Sequence, residues 1–296
     1  MIDFIRLFWR DKTRFEHFVC QEKNFKELDT LFGLHTGQIK YPYRTSFNTM
    51  DVRITDKYGY VYNSIHKAYN EIHSDDAHNY NDFGYSAICK MLLHINSKVA
   101  DVENANLTQF EFGFNIKTPI EAEQIISNNL LMHKMSGPNH TRLFNGRGKL
   151  KQFDHHNYVL KIYDKGKQYN LRENILRFEV RFLKAREFQK FDIYKLEDLK
   201  DKYKLRQLFK YLLKRYDELI IIDQIDESLI EPLDLTEFIR YNNSHYWENT
   251  IKENSATTKM RHLIKYNELQ NKYSLLRTKT LLKQLIIEKY SQLINF

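Results

Sequence analysis

Apolar and polar residues alternate with a period of two along several short stretches in the first two thirds of the chain. A strand sends successive side chains to opposite faces, so such stretches predict strands. Ile2 to Phe8 predicts the first. Tyr58 to Tyr69 predicts another, with Tyr60, Tyr62, Ser64 and His66 on one face. Leu107 to Ile116 alternates most cleanly: Phe110, Phe112, Phe114 and Ile116 face one way, while Gln109, Glu111, Gly113 and Asn115 face the other. Tyr158 to Lys165 and Ile175 to Leu183 give two more. Ile88, Leu92 and Ile95 recur at helical spacing and predict a helix over Phe83 to Ile95. Pro119 and Glu121 predict the opening of a helix that runs to about Leu131. Gly137, Pro138, Gly146 and Gly148 break the pattern, so residues 136–156 read as a basic loop.

From about Lys195 the period becomes helical. Leu196, Leu199, Leu205, Leu208 and Leu212 form one stripe, and Leu281, Leu282, Leu285, Ile286 and Leu293 another. The order of elements predicts an α+β fold: an antiparallel sheet with flanking helices, followed by a helical C-terminal part. A soft boundary near Lys190 divides a mixed strand-and-helix domain at 1–190 from a helical, basic region at 191–296.

Three predicted strands carry chemistry-capable groups on their polar faces. These are Gln109, Glu111 and Asn115 on the first, Lys161, Tyr163 and Lys165 on the second, and Arg177, Glu179 and Arg181 on the third. If the strands are neighbours, the polar faces converge. Glu111 and Glu179 could then hold Mg²⁺ or Mn²⁺ through oxygen. Tyr163 could attack a phosphodiester beside that metal, with Lys165 favouring loss of its proton. Lys161, Arg177 and Arg181 could grip flanking phosphates. Each strand alone is what any half-exposed antiparallel strand looks like, so only the combination is informative.

The charge narrows the partner. The chain carries a net charge of +8, which favours a polyanion. The excess is concentrated: Lys134 to Glu187 holds 13 Lys/Arg against 5 Asp/Glu, and Arg240 to Phe296 holds 10 against 4. The first region adds Arg147 and Lys149, in the basic loop, as DNA contacts. Cys20 and Cys89 alone make no disulfide framework or zinc site in a chain this long. No apolar run marks a signal peptide or a membrane span, so the expected location is the cytoplasm, without a membrane partner.

The ordered segments resemble the gene II-type replication initiators of filamentous phages and the related plasmid rolling-circle initiators. Met1-Ile2-Asp3 opens the chain as in the phage proteins. Leu107 to Ile116 resembles the family's Arg-Ile-Asp-type strand, with Glu111 at the acidic position. Val159 to Gln168 resembles its Tyr-x-Lys-x-x-Glu segment, and Leu176 to Arg181 its Arg-Phe-Glu-x-Arg strand. Asn63 to Lys67 and His78 to Phe83 resemble segments of bacterial members. The resemblance implies nicking of one strand at a replication origin by Tyr163, a 5′-phosphotyrosine link, a free 3′-hydroxyl primer and later strand transfer. It also implies single- and double-stranded origin DNA, a host helicase and a DNA polymerase as partners. Three departures stand out. Gln109 replaces the family's Arg, Gln168 replaces its Glu, and the His-hydrophobic-His metal motif is absent, since His155 and His156 are adjacent. His66 is the candidate third metal ligand.

Two other readings compete: a non-catalytic DNA-binding or repressor protein, and a transposase or relaxase with the same tyrosine chemistry. Tyr158 and Tyr169 flank Tyr163, and Tyr158 should face away from it on a regular strand. The basic stretch from Lys252 to Lys289 is expected to be helical and to help bind duplex DNA. Removal of residues after Ile193 should then spare cutting of single strands. Tyr246 and Trp247 are expected to be packing anchors.

Overall fold

The computed structural model describes residues 1–143, 148–250 and 255–295. In chain order its elements begin with β1 (Ile2–Trp9), α1 (Thr13–Val19), β2 (Asp29–Gly33), β3 (Gln38–Phe47), β4 (Met50–Ile54), β5 (Gly59–Ser64), α2 (Ile65–Ser74), α3 (Tyr85–Lys98) and β6 (Asn106–Lys117). A short α4 (Ala122–Gln124), β7 (Leu130–His133), β8 (His140–Leu143), β9 (Lys149–Asp154), β10 (Tyr158–Asp164), α5 (Lys165–Gln168), β11 (Ile175–Phe182) and α6 (Arg186–Gln189) follow. The chain ends with α7 (Lys202–Asp217), β12 (Leu219–Ile221), α8 (Pro232–Tyr241), α9 (Ala256–Lys272) and α10 (Arg277–Asn295).

Among the described residues, ten strands form one antiparallel sheet in the order β2-β3-β4-β5-β1-β6-β11-β10-β9-β8. Period-two patterning decides which face is buried. Ile5 and Leu7 of β1, Phe110, Phe112 and Phe114 of β6, Phe178 and Val180 of β11, and Leu160 and Ile162 of β10 all point into one core. Helices α3, α7 and α10 close that face. Phe209 of α7 stacks on Tyr290 of α10 at 3.9 Å, and both rings meet Phe114 edge-on. The fold is therefore α+β, a large antiparallel sheet with flanking helices and a mostly helical C-terminal part.

The two cores divide the chain differently from a boundary near Lys190. Leu205, Leu208 and Leu212 of α7, with Leu282, Ile286 and Leu293 of α10, belong to the main core. A second, smaller core gathers Met132, Ile220, Phe238, Tyr241, Trp247 and Tyr266 around the β7–β12 pair and helices α8 and α9. Trp247 Nε1 donates to the Tyr241 carbonyl at 2.7 Å, and Tyr246 packs beside it, as expected of anchors.

Four local expectations are corrected. The strand expected over 58–69 ends at Ser64, where the Ser64 hydroxyl accepts the Lys67 N–H and caps α2. His66 is thus a helix residue, not a strand-face partner of Ser64. The helix expected to run to Leu131 is only α4 and a π-helical turn, because Leu130 joins β7 and Asn129 Nδ2 donates to the Ile222 carbonyl. The basic loop at 136–156 contains β8 and β9, which pair antiparallel, with Leu150 and Phe153 buried on β9. Lys165 leaves the strand, since Asp164 Oδ1 accepts the Lys167 N–H and starts α5 there.

Candidate active site

The three polar strand faces do lie side by side, in the order β6-β11-β10. Register aligns them row by row: Lys161 pairs with Glu179 and Glu179 with Gly113, Tyr163 with Arg177 and Arg177 with Asn115, and Arg181 with Glu111. Strand β1, on the other side of β6, adds Asp3. Asp3, Glu111 and Glu179 each place a carboxylate oxygen within 4.8 Å of the others, and all three are buried.

Two cations interleave with these acids. Lys161 Nζ lies 3.0 Å from Glu111 Oε1 and 3.3 Å from Glu179 Oε1. Arg177 Nε donates to Glu179 Oε2 at 2.9 Å, its Nη1 to Asn115 Oδ1 at 3.1 Å, and its Nη2 to Asp3 Oδ2 at 3.3 Å. Asp3 also accepts from Ser64 Oγ, and from Asn79 Nδ2 at 2.6 Å. Tyr169 in turn donates to Asn79 Oδ1 at 2.7 Å. The charge pattern follows from this packing. Burial opposes charge on Asp3 and Glu179, but Arg177 beside Asp3, and Lys161 and Arg177 beside Glu179, hold both below the usual carboxylate range. Glu111 goes the other way, raised by burial and by the neighbouring Glu179. Burial works against the Lys161 ammonium, yet Glu179 and Glu111 raise its pKa above the ordinary lysine value.

Tyr163 is 4 % exposed. Burial, reinforced by Glu179, pushes its hydroxyl well above the ordinary phenol value, while Arg177 pulls the other way. Lys165 is also buried; its Nζ sits 5.3 Å from the centre of the Tyr163 ring and 5.0 Å from that of Tyr169. Desolvation lowers its pKa to about 7, so near neutral pH a good part of it is a neutral amine. Tyr158 faces the core side and hydrogen-bonds Arg215, away from Tyr163.

The donor set fits a hard divalent cation: three carboxylates with oxygens within 4.8 Å of one another, and Gly113 lets Glu179 pack closely against β6. A Cβ on Gly113 would fall 2.5 Å from Glu179 Cβ and 2.4 Å from the Phe178 carbonyl oxygen. Lys161 already brings positive charge to two of the three acids, and would have to withdraw for a metal.

The other expected residues fall as follows. His66 Nε2 pairs with Asn81 Oδ1 at 2.6 Å, and burial lowers its pKa to about 3. It is near Asp3 but outside the group of three carboxylates. Arg177 is 2 % exposed and held by the acids, so it is not a surface phosphate grip. Arg181 is partly exposed, 3.7 Å from Glu111. Lys149 pairs with Glu123 at 3.4 Å. Arg147 lies outside the described residues. In the C-terminal stretch, Lys265 and Lys272 pair with acids of α8, and Lys283 and Lys289 pair with Asp217 and Asp82. Much of that basic charge therefore ties helices together instead of facing a duplex. Asp3 had a sequence signal, an acid inside a mostly apolar strand, but the pattern alone gave it no role.

No family model and no curated protein matches the chain. A solved structure of a rolling circle replication initiator protein from Geobacillus stearothermophilus is similar over 78 % of this chain and 89 % of that one, at 10 % identity and a TM-score of 0.42. No helix among the described residues is long and apolar enough to cross a membrane.

Proposed function

We propose that the chain is a metal-dependent DNA nickase that initiates rolling-circle replication, with Tyr163 as nucleophile. The observation that carries this reading is the meeting of Asp3, Glu111 and Glu179 on the sheet face that also holds Tyr163 and, at its end, Lys165. The sequence resemblance described above points the same way. Mg²⁺ or Mn²⁺ held by the three carboxylates would supply positive charge at the phosphate oxygens as they gain charge.

The chain's own groups would do the rest. Tyr163 Oη attacks phosphorus, and its proton passes to the neutral amine of Lys165. The bond from phosphorus to the 3′ oxygen breaks, and that oxygen leaves as a hydroxyl with a proton from water. The product is a 5′-phosphotyrosine and a free 3′-hydroxyl that primes synthesis. Arg177 holds Asp3 and Glu179 in place and stabilises negative charge on the tyrosine oxygen. Such a protein would work on single- and double-stranded origin DNA in a host cytoplasm, with a helicase and a DNA polymerase. Residues 1–190 would supply the chemistry and 191–296 the helices that complete the core, plus the small second lobe.

A second reading, a DNA-binding protein without catalysis, is favoured by one observation: Lys161 and Arg177 between them already pair with all three acids while Tyr163 is covered. Cutting of labelled single-stranded origin DNA in Mn²⁺ separates the two. The nickase reading expects cutting that disappears in Asp3→Asn and Glu179→Gln while salt-sensitive DNA binding survives. Binding without cutting in the wild type under any divalent metal would overturn it.

A further inference from the structure

The sheet face that carries the carboxylates does not stop at β6. Antiparallel pairing continues it across β1, β5 and β4, with two register shifts between β1 and β6: Arg6 lies beside Gln109 and Tyr62, Phe8 beside Tyr60, Phe4 beside Ser64, and Arg53 beside Tyr60. The open face of an antiparallel sheet is ordinarily polar. Here four aromatic rings, Phe4, Phe8, Tyr60 and Tyr62, are only partly buried on it, and Arg6, Arg53 and Arg181 alternate with them.

The rings and cations are already arranged as neighbours. Arg181 lies over the Phe4 ring at 4.6 Å and Arg6 beside the Tyr60 ring at 5.9 Å. Phe8 sits 5.4 Å from Tyr60 and 5.1 Å from Tyr58. Arg6 is close enough to Arg181 to feel its charge, and Arg6 Nε is held by Thr108 Oγ1 at 2.9 Å. Among the described residues neither Arg6 nor Arg53 is in an ion pair, although many other basic side chains on this protein are. Asp51 is an acid on this face, and it accepts from Asn63 Nδ2 at 3.0 Å.

The geometry points to this β1–β5–β4 face as a platform for single-stranded DNA, whose bases stack on Phe8 and Tyr60 while its phosphates meet Arg6, Arg53 and Arg181. The charge selects a polyanion, and the partly exposed rings select unpaired bases, which a duplex hides in its stack. The platform is continuous with the carboxylates, because Arg181 touches both Phe4 and Glu111. From β11 to β4 the face crosses four strand spacings, roughly 19 Å, room for a short run of nucleotides. The inference deepens the proposed nickase by saying where its strand lies, and in that sense rests on it.

Binding of a fluorescein-labelled oligothymidylate, measured by anisotropy with chelator present, tests the platform without asking for catalysis. Phe8→Leu and Tyr60→Leu keep apolar bulk but lose the ring, and each is expected to weaken binding roughly fivefold or more, while Tyr60→Phe binds like the wild type. Arg53→Gln, an exposed change, is expected to lower the steepness of the log affinity against log salt by roughly 0.7. Unchanged thermal unfolding identifies the variants that remain folded. Loss of affinity in the leucine variants supports the platform even if the wild type never cuts DNA, an outcome that would sink the nickase alone. Unchanged affinity and salt slope in all of these variants would overturn the platform even if the protein nicks. Unchanged affinity with loss of a dimer would assign the face to a second copy of the chain instead, and stronger binding of oligouridylate would overturn the assignment to DNA.

Discussion

Lys161→Met tests the idea that a lysine holds the place of a metal. Lys161 Nζ lies 3.0 and 3.3 Å from two buried carboxylates. Methionine keeps most of the stem and removes the charge. Removing one partner of a buried ion pair leaves the other uncompensated and typically costs about 3–5 kcal/mol. Glu111 softens the loss, because its pKa is already raised by burial and it can take up a proton instead. A net loss of ~3 kcal/mol above neutral pH follows, which lowers Tm by roughly 6–12 °C. The pH dependence has a definite sign. The Lys161 pKa is raised, so its contribution is fully present below the ordinary lysine value of 10.5 and is lost only as pH climbs through the folded value above it. Across neutral pH the wild type therefore keeps this contribution. The variant's deficit should grow as pH rises above 4.5, the ordinary glutamate value, since folded Glu111 must then either keep a proton that the unfolded chain gives up or be charged without its partner. Divalent metal should reverse the order. With no tethered ammonium to displace, Mn²⁺ should raise the variant's Tm more than that of the wild type. Thermal unfolding in chelator and across an Mn²⁺ titration reads both effects. A variant equal to the wild type in chelator, and equally responsive to Mn²⁺, would refute the counter-ion role.

Three further outcomes follow from the same packing. Gly113→Ala should destabilise by about 1–3 kcal/mol and abolish Mn²⁺-induced stabilisation, because its Cβ would meet the Phe178 carbonyl and the Glu179 side chain; wild-type metal response in this variant would contradict the shared space. Single-strand cutting should rise with pH through about 7 as Lys165 loses its proton, and Lys165→Arg should flatten that limb; a limb unchanged by the substitution would remove Lys165 as the base. Truncation after Leu276 should unfold the protein rather than spare cutting, since α10 buries Leu282, Ile286 and Leu293, together roughly 5–9 kcal/mol; a folded, active truncation product by circular dichroism would count against the single main core.

The strands that build the site were legible because they alternate without interruption. Phe110, Phe112, Phe114 and Ile116 against Glu111 and Asn115 leave little choice of face, and the same holds for β10 and β11. Adjacency was a guess from chemistry that the register supports. Local rules failed where a distant partner decides the conformation. Leu130 pairs with Ile221, so the expected helix stops and β7 begins. Leu150 to Asp154 pair with β10, so a stretch that looked like loop is strand. His66 was placed by extending an alternation one turn too far, past the Ser64 cap. Asp3 was passed over because its meaning lies in Glu111, Glu179 and Arg177, up to 176 positions away in sequence and on two other strands of the same sheet. The basic residues of the C-terminal helices looked like a DNA-binding face because sequence does not show Glu237, Asp234, Asp217 and Asp82 opposite them.

The central claim is that Tyr163 becomes joined to DNA. Incubation of the protein with Mn²⁺ and 5′- or 3′-labelled single-stranded origin DNA, followed by denaturing electrophoresis and peptide mapping, tests it directly. The account predicts an adduct that survives denaturant, carries the 3′ label and not the 5′ label, maps to the peptide containing Tyr163 and vanishes in Tyr163→Phe. An adduct that persists in Tyr163→Phe and maps to Tyr158 or Tyr169, or the absence of any adduct while DNA is still bound, would contradict it.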